Sequence, residues 1–298
     1  VTDALIISGA QKSASTSVAQ WLGGSPGLSA QPRETVAFEG RAHTRRTARL
    51  RAEAAAARAD GRLLVVKRPE ILHNEVVRTR AGAAFPGAVV VTVLRHPVDR
   101  AASAWWHYRR MGVLDPGLRL ADCVTAWRRD GGATPAGQVV AYSRYAGPVA
   151  DLSRRFDRPL CFFHHEVTTE PGRTFAPLFD RLGVAPPADP VLPALNSKEA
   201  GLQGTRHSRL SGRLTYRWDP RERHLSPRPL GWQLVALARA LSLARGRDEG
   251  DDAPAVTPED RAAVAEAVAD DLGPLAEALD RPLPAAWDQP APDRTGGA

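Results

Sequence analysis

The segment Ser8-Gly9-Ala10-Gln11-Lys12-Ser13-Ala14-Ser15-Thr16-Ser17 sets one lysine among small and hydroxylic side chains, directly after the apolar run Leu5-Ile6-Ile7. Such a composition suits an oxyanion cradle, in which hydroxyls and backbone N–H groups converge on a phosphate or sulfate and a compact ammonium offsets its charge. Val18, Trp21 and Leu22 follow at i, i+3 and i+4, which predicts a helix burying one face. The hydroxyl cluster then occupies that helix's N-terminus, where unpaired N–H groups and the helix dipole favour an anion. Lys12, Lys67 and Lys198 are the three lysines among 40 basic residues. Where arginine serves almost everywhere else, a lysine at the mouth of an anion loop marks a need for a titratable point charge.

A second apolar strand, Ala88 to Leu94, runs into Arg95-His96-Pro97-Val98-Asp99-Arg100. Phosphoryl-transfer loops of the G-x-x-x-x-G-K-(S/T) type have another spacing, and they work with a carboxylate that holds magnesium. Here the lysine comes three residues after Gly9, and the second strand ends in a guanidinium. The pattern therefore predicts a site for a second anion that requires no metal. A P-loop kinase or nucleotide hydrolase is the alternative of the same structural class, and a non-catalytic nucleotide- or nucleic-acid-binding module is a further one.

Together the two segments resemble the sulfotransferases that use 3′-phosphoadenosine 5′-phosphosulfate (PAPS). Gly9-Ala10-Gln11-Lys12-Ser13-Ala14-Ser15-Thr16 is similar to that family's 5′-phosphosulfate loop, G-x-x-K-(S/G)-(G/A)-(S/T)-(S/T). Leu94 to Trp105 resembles its 3′-phosphate motif, L-R-x-P-x-x-R-x-x-S-x-(W/Y). Arg33-Glu34-Thr35-Val36-Ala37-Phe38 looks like the KE-x-x-FF segment, and Leu64-Val65-Val66-Lys67-Arg68-Pro69 looks like the strand end hhhK-(S/T)-P. Tyr145 to Val184 and Val256 to Trp287 resemble later parts of bacterial members. Val36, Ala37 and Glu39 depart from the His, Phe and Asp usual in glycosaminoglycan-modifying members, which weighs against a polysaccharide acceptor.

The resemblance implies roles residue by residue. Lys12 serves the leaving bridging oxygen. Gly9, Gln11, Lys12, Ser13, Ala14, Ser15, Thr16 and Ser17 hold the 5′-phosphate end of the donor, and Arg95 with Ser103 takes the 3′-phosphate. Glu34 accepts the acceptor's proton, with His43 and His164 as other candidates, and Lys67 lies beside the transferred group. PAPS is then the donor, 3′-phosphoadenosine 5′-phosphate (PAP) the product, and no metal takes part. The acceptor expected is a hydroxyl, less often an amine, of a small molecule or glycan, in a bacterial cytoplasmic tailoring enzyme.

Those residues need a scaffold that brings strand ends together. Strands are expected near 4–8, 63–67, 88–94 and 159–164, alternating with helices, which means a central parallel β-sheet flanked by helices, an α/β P-loop-like sulfotransferase fold. Lys12, Lys67 and Arg95 all follow the carboxyl ends of such strands, where ligands of open α/β sheets bind. The 298 residues, 43% hydrophobic, can form one domain over 1–287, with a loop-rich cover at 196–230, a charged linker at 245–255 and a disordered tail at 288–298. No run of about 18 apolar residues suggests a membrane span, and the immediate entry into the first strand leaves no room for a signal peptide. A formal charge of +7 suits a polyanionic donor; the arginines are dispersed, without an RNA-binding or zinc pattern, so no nucleic acid is expected. The alanine-rich stretch from Arg41 to Arg62 reads as a solvated helix. Asp99 and Arg100 are expected to cap and pair along the helix from Val98, and His164 and His165 to point to opposite faces of a strand. Cys123 and Cys161 are expected as ordinary buried thiols.

Overall fold

The computed structural model describes residues 2–31, 33–193, 215–228, 233, 237 and 255–287. In chain order its elements are β1 (Leu5–Gly9), α1 (Ser15–Leu22), β2 (Leu28–Ala30), α2 (His43–Ala59), β3 (Leu63–Lys67), α3 (Glu70–His73), α4 (Glu75–Ala84) and β4 (Val89–Leu94). Then come α5 (Pro97–Arg110), α6 (Leu120–Asp130), α7 (Pro135–Ala141), α8 (Ala146–Arg155), β5 (Leu160–Phe163), α9 (His164–Thr169), α10 (Pro171–Thr174) and α11 (Ala176–Leu182). A hairpin, β6 (Tyr216–Asp219) and β7 (His224–Pro227), the helix α12 (Pro258–Leu279) and a 3-10 turn at Ala285–Trp287 follow. Contacts cluster into two units: the described parts of 1–95, 145–195 and 275–280, and those of 96–144, 196–274 and 281–298.

The first unit holds a five-stranded sheet in the order β2-β3-β1-β4-β5, with all pairings parallel. Two of its three inner strands, LIISG in β1 and VVVTVL in β4, are buried at every position, and β3 at all but Leu63. Strands covered on both faces read as unbroken apolar runs, which is why these were visible in the sequence. Ser8, buried in β1, satisfies its hydroxyl on Val91 O at 3.3 Å and Thr92 Oγ1 at 2.6 Å. Ile7 pairs with Lys67 on one side and Val91 on the other, so β1, β3 and β4 end at one edge. The chain runs β1-β2-β3 on one side of β1, then crosses to β4 and β5, making that edge the topological switch point. Helix α1 buries Val18, Trp21 and Leu22, as their spacing predicts, with the Trp21 ring 5.6 Å from Phe175 and 5.8 Å from Phe179. Helix α2 buries only Leu50, Ala54 and Ala57, a narrow stripe at i, i+4 and i+7, and turns its arginines outward. The three-residue β2 is too short to leave a periodic signal. His164 and His165 open α9 rather than extending β5, because the strand stops at Phe163, whose N–H is capped by Glu166 Oε2 at 3.0 Å.

The second unit packs Val98, Trp105 and Tyr108 of α5 with Leu120 and Val124 of α6, Val139 and Val140 of α7, and Val264 and Val268 of α12. Asp99 accepts Arg261 Nη1 at 2.9 Å and Nη2 at 3.0 Å, while Arg100 is buried and donates to Val139 O. The expected pairing of Asp99 and Arg100 along α5 is therefore replaced: Arg100 faces the core and Asp99 faces α12. Thr257 and Asp260 cap α12 reciprocally, Thr257 N donating to Asp260 Oδ2 at 3.1 Å and Asp260 N to Thr257 Oγ1 at 3.2 Å. Within the stretch read as a loop-rich cover, 216–227 forms an antiparallel hairpin whose Tyr216, Trp218 and Leu225 join this core. Alternation over so few residues was hidden by its arginines. The rest of 196–230, apart from 215 and 228, lies outside the described residues, as do the linker at 245–254 and the tail 288–298. Neither cysteine is in a disulfide; Cys161 is half-buried rather than buried as expected, and burial, with the charges of Asp122 and Asp260, pushes the Cys123 thiol up to about 12.

Candidate active site

Between β1 and α1 the backbone passes through two left-handed residues, Lys12 at φ 70° and Ala14 at φ 61°, with Ser13 between them. Each such conformation costs a non-glycine residue about 1–2 kcal/mol. Alternation of backbone hand turns successive N–H groups to one side, forming an anion-binding concavity. Ala14 is the N-cap of α1 and brings no side-chain oxygen to it, so no side chain caps the start of the helix. Ser13 is fully buried, and its Oγ has no hydrogen-bond partner. A buried hydroxyl without a partner is unfavourable, and Ser13 stands between the two left-handed residues of this loop. The loop is anchored by Ala10 N on Val93 O at 2.7 Å and Ser13 N on Ala10 O at 3.2 Å. Gly9 has its own reason to be glycine: a Cβ there would lie 2.8 Å from Leu72 Cβ, at a φ of 153°.

The other strand ends connect to this loop. Lys67, the last residue of β3, donates from Nζ to Thr16 Oγ1 at 2.8 Å and lies 3.3 Å from Glu34 Oε1. Arg95, directly after β4, donates from Nη1 to the Lys12 carbonyl at 3.2 Å, and its own carbonyl accepts the Tyr145 hydroxyl at 3.0 Å. Glu34 stands on the loop between β2 and α2. Thr35 N donates to Lys67 O at 3.1 Å, Thr47 Oγ1 to Ala37 O at 3.1 Å, and Arg80 Nη1 to Phe38 O at 2.9 Å, with Phe38 buried against Phe85. Anchored at these points, the loop holds a carboxylate whose side chain is 38% exposed.

Sequence reasoning missed Arg68. Its Nη1 donates to Glu34 Oε2 at 3.1 Å, its Nε to Glu39 Oε1, and the same Nε lies 3.0 Å from Glu70 Oε2. Burial would pull the Arg68 guanidinium down, but the charges of Glu70, Glu39 and Glu34 and the hydrogen bond to Glu39 hold it above its ordinary value. A signal was present: Arg68 fills a position where the resembling motif has Ser or Thr, and a guanidinium in place of a small hydroxyl demands carboxylate partners.

Gly9, Gln11, Lys12, Ser13, Ala14, Ser15, Thr16, Ser17, Glu34, Lys67 and Arg95 all belong to the first unit, and Ser103, on α5, belongs to the second. His43 opens α2 with Nδ1 3.0 Å from Gly40 O and Nε2 3.4 Å from Thr44 Oγ1, and His164 opens α9. Lys198 lies outside the described residues.

A crystal structure of a sulfotransferase from Alicyclobacillus acidocaldarius is similar over 97% of this chain and 100% of that one, with a TM-score of 0.59 and 18% identity. The chain has a sulfotransferase fold. At that identity the likeness speaks for the fold. The sulfotransferase domain of the Synechococcus PCC 7002 olefin synthase is similar at a TM-score of 0.42 and 18% identity, over 80% of this chain and 94% of that domain. The sulfotransferase domain from the curacin biosynthetic pathway gives 0.47 and 14%, over 95% and 99%. No family model matches the chain, and no curated protein sequence matches it. Among the described residues, no helix is long and apolar enough to cross a membrane, and no three His, Cys, Asp or Glu side chains are grouped to hold a metal ion.

Proposed function

We propose that this protein is a sulfotransferase that takes the sulfuryl group from PAPS and places it on a hydroxyl of a small molecule. The observation that carries the reading is the buried, unpartnered Ser13 hydroxyl in a left-handed loop, at the uncapped start of α1 and at the switch-point edge of a sulfotransferase-type sheet. The concavity supplies what a 5′-phosphate needs: donors already aimed, requiring no reorganisation when the ligand arrives.

Transfer forms a bond between the acceptor oxygen and sulfur and breaks the bond from sulfur to the bridging phosphate oxygen, which keeps the electron pair. Lys12 stabilises the charge that grows on that oxygen. The acceptor's proton goes to Glu34, whose carboxylate is accessible and keeps unused lone pairs beside those facing Lys67 and Arg68. Lys67, held between Thr16 and Glu34, links the donor loop to the base, which supports a role for its ammonium beside the transferred sulfuryl group. Arg95, whose Nη1 holds the Lys12 carbonyl, is assigned the 3′-phosphate through the planar fork of its guanidinium, a role that the motif also gives to Ser103.

Thermal-shift measurements test the assignment, with PAP, with ATP plus magnesium, and with a short oligonucleotide. PAP alone, without added metal, is expected to stabilise the protein. Stabilisation by ATP and magnesium but not by PAP would select a kinase or hydrolase instead. Incubation of PAPS with candidate acceptors then identifies products heavier by one SO3 unit in mass spectrometry.

A further inference from the structure

We infer that Arg68 is a positioning residue for the base: it holds Glu34 at the donor loop and withdraws the two neighbouring carboxylates, Glu39 and Glu70, from the reaction. The inference rests on the sulfotransferase reading above. Three carboxylates gather around this one guanidinium, and they differ in access. Glu39 and Glu70 have side chains only 2% and 9% exposed, both at Nε, whereas Glu34, at Nη1, is 38% exposed. The planar fork assigns the roles, because one edge engages the two buried acids while the other arm reaches the accessible one. Glu34 is thereby fixed from two sides, Oε2 by Arg68 at 3.1 Å and Oε1 by Lys67 at 3.3 Å, and Lys67 in turn holds Thr16 of α1 at 2.8 Å. Arg68 is itself fixed, since it is buried, its N–H donates to Ile7 O of β1 at 3.0 Å, and Pro69 follows it. A rigid strand end thus orients a carboxylate carried on a loop, and it does so with a residue that supplies no proton and touches no donor atom in this scheme.

Arg68→Lys tests this, because it keeps the buried positive charge while losing the arm that reaches Glu34. With benzyl alcohol as acceptor, kcat is expected to fall about 100-fold, the scale of a displaced catalytic group. With 4-nitrophenol, which is acidic enough to need little help from a base, the loss is expected to stay within a few-fold. PAP affinity by calorimetry is expected to remain at the wild-type value. In a Glu34→Gln background, Arg68→Lys should add almost nothing, since the group it positions is already disabled. If neither compound is sulfated, the same four proteins are compared by their slow release of sulfate from PAPS, with water as acceptor. A triple variant, Glu39→Gln, Arg68→Gln and Glu70→Gln, removes the buried charges together and must reproduce the acceptor-dependent loss if Arg68→Lys does not fold. Equal losses on both acceptors, or losses that multiply with Glu34→Gln, overturn the positioning role and leave the sulfotransferase reading standing. A wild-type protein that binds no PAP and releases no sulfate overturns both. A crystal structure of Arg68→Lys with PAP, in which the Glu34 carboxylate keeps its place beside Lys67, also overturns the positioning role.

Discussion

Replacing Ser13 with alanine should make the free protein more stable and the donor complex weaker, a pair of opposite signs that few alternative readings produce. Ser13 Oγ is fully buried and has no partner, so the free protein carries the desolvation cost of a hydroxyl that gains nothing in return. That cost is about 1–3 kcal/mol, and alanine removes it while leaving the Ser13 N–H on Ala10 O in place. Taking the low end, because a small local shift can recover part of a bond, the melting temperature should rise by roughly 2–4 °C. On the donor side, a hydroxyl bonded to a charged phosphate is worth about 1.5–3 kcal/mol, or roughly a 10- to 100-fold loss of PAP affinity at 1.4 kcal/mol per tenfold. Differential scanning calorimetry without ligand and isothermal titration with PAP measure the two quantities on the same preparations. An alanine variant that melts lower than wild type would show that Ser13 supports the loop rather than waiting for a ligand. Unchanged PAP affinity would remove the concavity from the donor site.

Three further outcomes follow from the same geometry. Lys12→Ala should lower turnover by about 100-fold or more with the melting temperature nearly unchanged, as for loss of one oxyanion donor; rapid-quench single turnovers measure it, and a near-normal rate removes Lys12 from the chemistry. Arg95→Lys should weaken PAP binding more than it slows the bound complex, because a point charge replaces a fork that holds the Lys12 carbonyl and, in the proposed role, a phosphate; titration and saturation kinetics separate the two effects. Asp151 is pushed up by burial, but hydrogen bonds from Arg155, Arg78 and Arg154 outweigh this and set its carboxyl below the ordinary value of 3.8. Its contribution is therefore complete above that ordinary value and is lost as the pH falls below it, through the depressed native value. Asp151→Asn should cost about 3 kcal/mol at neutral pH, since Arg78 is buried, and its stability should fall less steeply in acid than the wild type's; urea titrations at several pH values test this.

What the sequence disclosed followed from burial. The strands β1, β3, β4 and β5 are covered by helices and read as apolar runs, and α1 shows its face through Val18, Trp21 and Leu22. The three residues of β2 and the four-residue strands of the hairpin carry too few side chains for a period to emerge from their polar neighbours. The start of α9 was misread because His164 and His165 continue an apolar run without a break, and the break is supplied by a cap three residues later, Glu166 on Phe163 N. Similarly, Asp99 and Arg100 look like a local pair, yet the partner of Asp99 is Arg261, far along the chain.

The site divides along the same line. Lys12, Lys67 and Arg95 were legible because each sits at the end of a strand that the sequence marks, and strand ends converge in a parallel sheet whatever the loops do. Glu34 was legible only through a motif, since nothing in its neighbours' spacing says that a loop carboxylate will meet a strand-end lysine. Arg68 signalled itself only by departing from the motif's Ser or Thr, because the partners that define a buried arginine are distant in sequence. Glu34 and Glu39 come from the loop between β2 and α2 and Glu70 from the start of α3, and Glu39 stands out in the sequence only as a departure from a motif. The two departures belong together: where a motif's small hydroxyl becomes a guanidinium, the carboxylate opposite it gains a buried partner. If Arg68 holds Glu39 and Glu70 in the interior, Glu34 is the accessible acid of the three.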